Sequence, residues 1–95
     1  MTDASPDNFR DNSDLSRYEL LEQGLTAFAD YRIARQSMFI DHVESPVPLR
    51  GAGTAGRLMQ AVVSDVRRRG LKLTPICSYA VAWLRRHPEA QDLVA

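Results

Sequence analysis

The 95-residue chain has a single cysteine, no long apolar run and no excess of charge of either sign. One cysteine cannot form an internal disulfide, so the expected home is a reducing cytoplasm. Without a long apolar run, neither a transmembrane helix nor a signal peptide is expected, and the chain reads as having no membrane partner. Twelve basic side chains balance twelve acidic ones, which gives no general pull toward nucleic acid. No Gly-Lys-Ser/Thr follows the glycines, so a Walker A phosphate loop is excluded. No histidine, cysteine or carboxylate pair has metal-ligand spacing, and no metal is expected. The length allows one small domain. Residues 1–14 are polar, acidic and broken by Pro6. They carry too little apolar surface to bury, so a flexible tail is expected there and a folded domain over 15–95.

What the chain does have is glycine and alanine concentrated in one place: Arg50-Gly51-Ala52-Gly53-Thr54-Ala55-Gly56. From there Leu58, Met59, Val62 and Val66 recur on one face of a 3.6-period helix that runs to about Arg69. The first amides of a helix have no intrahelical partner and lie at the positive end of its dipole. Tiny side chains let an anion reach them. Residues 50 to 56 are therefore candidates to hold a phosphate or diphosphate; the plainer alternative is that the glycines only permit a tight loop.

Around this stretch the chain reads as an α+β domain. Tyr18–Glu22, Leu25–Ile33 and Met38–Val43 are expected strands with short connections, hence an antiparallel meander of three. Alternation places Met38, Ile40 and His42 on one face. Pro46 and Pro48 end the third strand. The glycine-led helix then closes at Gly70, a C′ position after Arg67, Arg68 and Arg69. That basic run reads as a solvated helix end rather than a nucleic-acid patch. Leu71–Ile76 is a fourth strand, parallel to the third and reached by a right-handed crossover, completing a β-α-β unit. Pro75 cannot donate to the ladder, so pairing should loosen there. Ser78 is the expected N-cap of a C-terminal helix from Tyr79 to Arg86, with Tyr79, Ala80, Trp83 and Leu84 inward. The glycine stretch and Cys77 then lie at the carboxyl ends of the two parallel strands, where ligands of such sheets bind.

Gly51 to Gly56 spells GxGxxG, the dinucleotide fingerprint, but in the wrong setting. Prolines separate it from the strand, no acidic residue lies about twenty positions on, and the chain is too short for two mononucleotide halves. The pattern Arg50-x-x-Gly53-x-Ala55 instead resembles the R/Q-x-x-G-x-G/A motif of the GNAT acetyltransferase superfamily. His42-Val43-Glu44, Pro48-Leu49-Arg50-Gly51-x-Gly53, Ile76-Cys77-Ser78-Tyr79, Arg86-His87-Pro88-Glu89 and Asp92-Leu93-Val94, in that order, resemble its small single-domain YjdJ-type branch, over roughly Arg17 to Val94. The helices usual between the first two strands of the superfamily, and its last strands, are missing.

The resemblance implies a minimal GNAT-like fold and an acetyl-CoA-dependent N-acyltransferase. The backbone of Arg50, Gly51, Ala52, Gly53, Thr54, Ala55 and Gly56 would hold the diphosphate of coenzyme A. The pantetheine arm would lie near Val43 and Glu44, where the two parallel strands splay. The acceptor would be an amine, on a small molecule or a protein lysine, and a homodimer could supply the missing pocket wall. The alternative from the same resemblance is a non-catalytic acyl-CoA-binding module. Candidate catalytic residues are Cys77, His42, Glu44 and Tyr79. Cys77 precedes a helix start, a setting that activates thiols, but it is equally a small buried residue. His42 with Glu44 could act as base and orienter, or His42 could be a core residue. Tyr79 could protonate the leaving thiolate or merely pack.

Overall fold

The computed structural model describes residues 8–95. Five strands form one sheet in the order β1-β2-β3-β4-β5. They are β1 (Phe9–Asn12), β2 (Arg17–Glu22), β3 (Leu25–Ala34), β4 (Ser37–Glu44) and β5 (Lys72–Pro75). The first four are consecutive and antiparallel, and β5 lies parallel to β4. The two tight loops are of the primed kind that matches strand twist. Gln23 and Gly24 have φ of 53° and 74°, and Arg35 and Gln36 have 53° and 66°.

β1 corrects the expectation of a flexible tail through residue 14; residues 1–7 lie outside the described residues. The strand is held by cross-strand pairs, with Phe9 half-buried against the core. Phe9 stacks on Tyr18 at 5.3 Å, Arg10 pairs with Glu19 at 2.8 Å, and the Tyr31 hydroxyl donates to Asp11 at 2.6 Å. The meander thus has one strand more than the sequence reading allowed.

Two helices cover one face of the sheet. α1 (Thr54–Arg68) buries Leu58, Met59, Val62 and Val66, all at 0% exposure. α2 (Ser78–Arg85) buries Ala80, Trp83 and Leu84. These residues join Tyr18, Leu20, Ala29, Met38, Ile40 and Leu73 in one core. α2 starts one residue before the expected position, because Cys77 rather than Ser78 is its N-cap; no side chain caps it. The C-terminal segment docks as a 3-10 helix, Pro88–Leu93, with Val94 bridging Leu73. Among the described residues, no helix is long and apolar enough to cross a membrane.

The basic end of α1 is neutralised rather than merely solvated. Arg67 pairs with Asp92, Arg68 with Asp65, and Arg69 with Asp11 and Asp65. Asp65 is buried, and the Tyr18 hydroxyl donates to it at 2.5 Å. Burial pushes that carboxyl up, but the Tyr18 bond and the neighbouring arginines more than offset it and hold it below the usual range.

One irregularity in β4 decides what the site contains. Asp30 pairs with His42 but Tyr31 pairs with Ile40, so Asp41 is an extra residue, a bulge. The bulge resets the alternation. Met38 and Ile40 face the core, whereas Val43, not His42, packs against it further along. The expectation that His42 shares a face with Met38 and Ile40 is therefore overturned. Its side chain is 54% exposed on the uncovered face, with its ring 6.0 Å from that of Phe28, which carries the Arg17 guanidinium at 3.9 Å.

Candidate functional site

The parallel pairing of β4 with β5 stops at Ile40 and Pro75. The Ile40 carbonyl takes the amides of both Ile76 and Cys77, at 2.9 and 3.1 Å. With Pro75 unable to donate, the ladder ends there. Beyond it, Asp41 to Glu44 have no partner on the β5 side among the described residues. β4 thus offers an open backbone edge as the two strands diverge.

After β4 the chain turns through a short 3-10 helix, Val47–Leu49, anchored by buried Leu49. The glycine loop follows. Gly51 and Gly53 take φ of 85° and 84°, left-handed values that side chains disfavour. Gly53 is the N-cap of α1, no side chain caps it, and the first turn carries no acidic residue. The Arg57 amide is the one that bonds back to Gly53, at 3.0 Å. The amides of Thr54, Ala55 and Gly56 ahead of it are the unpartnered donors of a helix start, whereas those of Arg50 and Ala52 donate to the Val47 and Leu49 carbonyls.

These parts wall one cavity of about 600 Å³, within the range of small-ligand sites. His42, Val43 and Glu44 contribute from the open edge of β4, and Arg50, Gly51, Gly53, Thr54, Ala55 and Gly56 from the loop and helix start. Tyr79 closes it from α2, and Ser45 and Leu49 from the connection. The Ser45 hydroxyl oxygen is buried without a hydrogen-bond partner. Of the residues singled out in the sequence, Ala52 and Cys77 are not on the wall. Cys77 is half-buried at the start of α2, its carbonyl taking the Val81 amide at 3.0 Å. Among the described residues no group of three metal-ligating side chains forms.

His42 Nε2 and Glu44 Oε1 are 2.9 Å apart on the cavity wall, with both side chains half-exposed. Half-exposure of both side chains removes the alternative of a core histidine. Burial pushes the Tyr79 phenol up, the Arg86 guanidinium pulls it down and Cys77 adds a smaller rise, with a net rise. Its hydroxyl therefore stays protonated at neutral pH. His87 does no more than finish a helix. Its Nδ1 donates to the Trp83 carbonyl at 2.7 Å and its ring stacks on Trp83.

Sequence reasoning missed what stands behind the loop. Arg57, in the first turn of α1, makes a two-point ion pair with Glu22 at the end of β2, at 2.7 and 2.8 Å. Buried Thr54 donates its hydroxyl to the same carboxylate at 2.6 Å. No local pattern announces a pair 35 residues apart. The Arg57 and Thr54 bonds hold the Glu22 carboxyl down at about 2. A depressed carboxyl contributes stability above its unfolded value of 4.5, and loses it as pH falls toward 2. Glu22→Gln is accordingly expected to flatten the acid limb of a stability-against-pH curve between these values, measured by urea unfolding.

A search of curated proteins returns no match. The fold is shared with a GCN5-like protein from Staphylococcus aureus, whose solution structure was determined by NMR. The two superpose with a TM-score of 0.67 at 23% identity, over 100% of this chain and 91% of that one. The family model described as GCN5-related N-acetyl-transferase matches residues 17–93, which takes in every strand from β2 on, both helices and the whole cavity. The chain belongs to the GCN5-related N-acetyltransferase family.

Proposed function

We propose that this protein binds acetyl-CoA and moves its acetyl group to an amine, as a small single-domain member of its family. The observation that carries the proposal is the continuity of one cavity from uncapped helix amides to a splayed strand edge. The residues fit that ligand at both ends. Left-handed Gly51 and Gly53 bring backbone amides to an anion without intervening side chains. Arg50, with its Nε bonded to the Ser45 carbonyl at 3.3 Å, places a cation on the same wall. The unpartnered Ser45 hydroxyl and the free edge at Val43 and Glu44 suit the amide groups of an extended pantetheine arm.

A bound thioester would supply an activated acetyl group. The chain's own part is to position it and to handle two protons. Glu44 orients the His42 ring through Nε2, leaving Nδ1 to accept the proton of the attacking amine. Tyr79, kept protonated, donates to the departing thiolate. Cys77, just past the point where β4 and β5 part though not on the cavity wall, is the second candidate to assist transfer. The acceptor amine, on a small molecule or a protein lysine, would approach over the uncovered sheet face beside His42 and Phe28.

Titration calorimetry with acetyl-CoA tests binding, and thiol release with pooled amines tests turnover. Saturation at a hundred times the dissociation constant should add about 2.7 kcal/mol to stability. His42→Ala should lower the transfer rate by roughly a hundredfold or more with binding kept. Absence of binding would sink the proposal. Binding without thiol release would leave the non-catalytic module, which the exposed position of the His42–Glu44 pair favours over a sealed site.

A further inference from the structure

We infer that Glu22 is a positioning residue, which through Arg57 and Thr54 fixes the shape of the glycine loop before a diphosphate arrives. The inference rests on the coenzyme reading above, but its two charged anchors, Glu22 and Arg57, do not line the cavity, and only Thr54 reaches its wall.

Glu22 ends β2, 32 residues before Thr54 and 35 before Arg57. Its Oε1 accepts the Thr54 hydroxyl at 2.6 Å and Arg57 Nη2 at 2.8 Å, and its Oε2 accepts Arg57 Nε at 2.7 Å. Arg57 Nη2 goes on to the Ala52 carbonyl at 2.9 Å. One carboxylate thus ties residues 52, 54 and 57, on both sides of Gly53, to the meander. The fit is close: a Cβ placed on Gly53 would lie 2.9 Å from Arg57 Nη1.

The charges show what this arrangement is for. An arginine in the first turn of α1, one residue past the cavity wall at Gly56, would ordinarily be read as a grip for the anion itself. Here its planar fork is taken up by Glu22 from behind, and the two charges cancel. The pair contributes geometry rather than attraction. It holds the loop with left-handed Gly51 and Gly53 already in place, so that the loop has less conformational freedom to lose on binding.

The test compares two probes in titration calorimetry, coenzyme A and pantetheine, which lacks the diphosphate. Glu22→Gln and Arg57→Lys should each weaken coenzyme A by roughly tenfold, the worth of one charged hydrogen bond. Pantetheine affinity should not change in either variant. In the transfer assay KM for acetyl-CoA should rise with kcat kept. Arg57→Lys keeps the charge and carries the test where Glu22→Gln melts too low. Unchanged coenzyme A affinity in both variants would overturn the inference, as would an equal loss for both probes, the mark of general loosening. A loss in Arg57→Lys alone would mean that Arg57 grips the ligand directly, which also overturns it. A wild-type protein that binds neither probe fails at the coenzyme reading itself, a result distinct from the other three.

Discussion

Replacing Trp83 with alanine is expected to cost about 3–5 kcal/mol, the range for truncating a large buried aromatic side chain. Trp83 is 3% exposed and sits where three parts of the molecule meet. One face stacks on His87, with ring centroids 3.6 Å apart and planes 12° apart. Its Nε1 lies 3.6 Å from where a Cβ on Gly56 would be, so it also backs the first turn of α1. It belongs to the same core as Leu84, Ala90 and Leu93. A domain of this size has on the order of 5–10 kcal/mol in total. The variant should therefore melt roughly 15 °C or more below the wild type, measured by circular dichroism. The His87–Trp83 stack is lost with it, so the 3-10 helix that follows should become the first segment to exchange its amides. A loss under about 1 kcal/mol would mean that the cavity left by the indole collapses, and that α2 is not the bridge described here.

How much of this was legible beforehand varies with the range of the interactions involved. α1 could be read because one helix face meets one sheet face: Leu58, Met59, Val62 and Val66 fall at the right spacing, and all are fully buried. Gly70 marks its end with φ of 71°. β2, β3 and β4 were visible from their apolar content and the turns between them, and the parallel β5 followed from the crossover. β1 was not visible, because what holds it is Glu19, Tyr18 and Tyr31 on other strands. A polar FRDN segment has nothing in itself to suggest a strand.

The site divides the same way. The glycine loop could be read because its chemistry is backbone chemistry, and glycine is where the backbone shows in a sequence. Alternation puts His42 on the wrong face because it assumes an unbroken ladder, and the extra Asp41 breaks it. Nothing local marks that bulge; it is set by the register across to Asp30 and Tyr31. Glu22 escaped notice because its partners lie 32 and 35 residues on. The sequence expectation for the N-cap of α2, Ser78, differs from the observed Cys77 by a single residue, which is within the reach of helix-end fraying.

The glycines give the sharpest separation between a loop that is merely tight and a loop that exists for a ligand. At Gly53 the two purposes coincide. Alanine there would have to hold φ of 84°, at roughly 1–2 kcal/mol, and would meet Arg57 Nη1 at 2.9 Å. Gly53→Ala should therefore lose both stability and coenzyme A affinity, and cannot tell the two purposes apart. At Gly56 they diverge. That residue is inside α1, with no left-handed φ, and an added Cβ would make ordinary contact with Trp83 and Tyr79 at 3.6 and 4.0 Å. Alanine is the better helix former by about 1 kcal/mol, so Gly56→Ala should raise the melting temperature of the free protein by roughly 4–8 °C. Yet Gly56 is on the cavity wall beside Tyr79, so the same methyl group would take up space that an incoming diphosphate needs. Coenzyme A affinity should fall by roughly tenfold or more as stability rises, because the lost amide contacts are charge-assisted. Calorimetry and a thermal melt on one preparation read both changes. A variant more stable and equally tight would show that the glycine serves only the fold. A variant more stable and weaker would show glycine kept at a cost in stability, which only a ligand at this helix start explains.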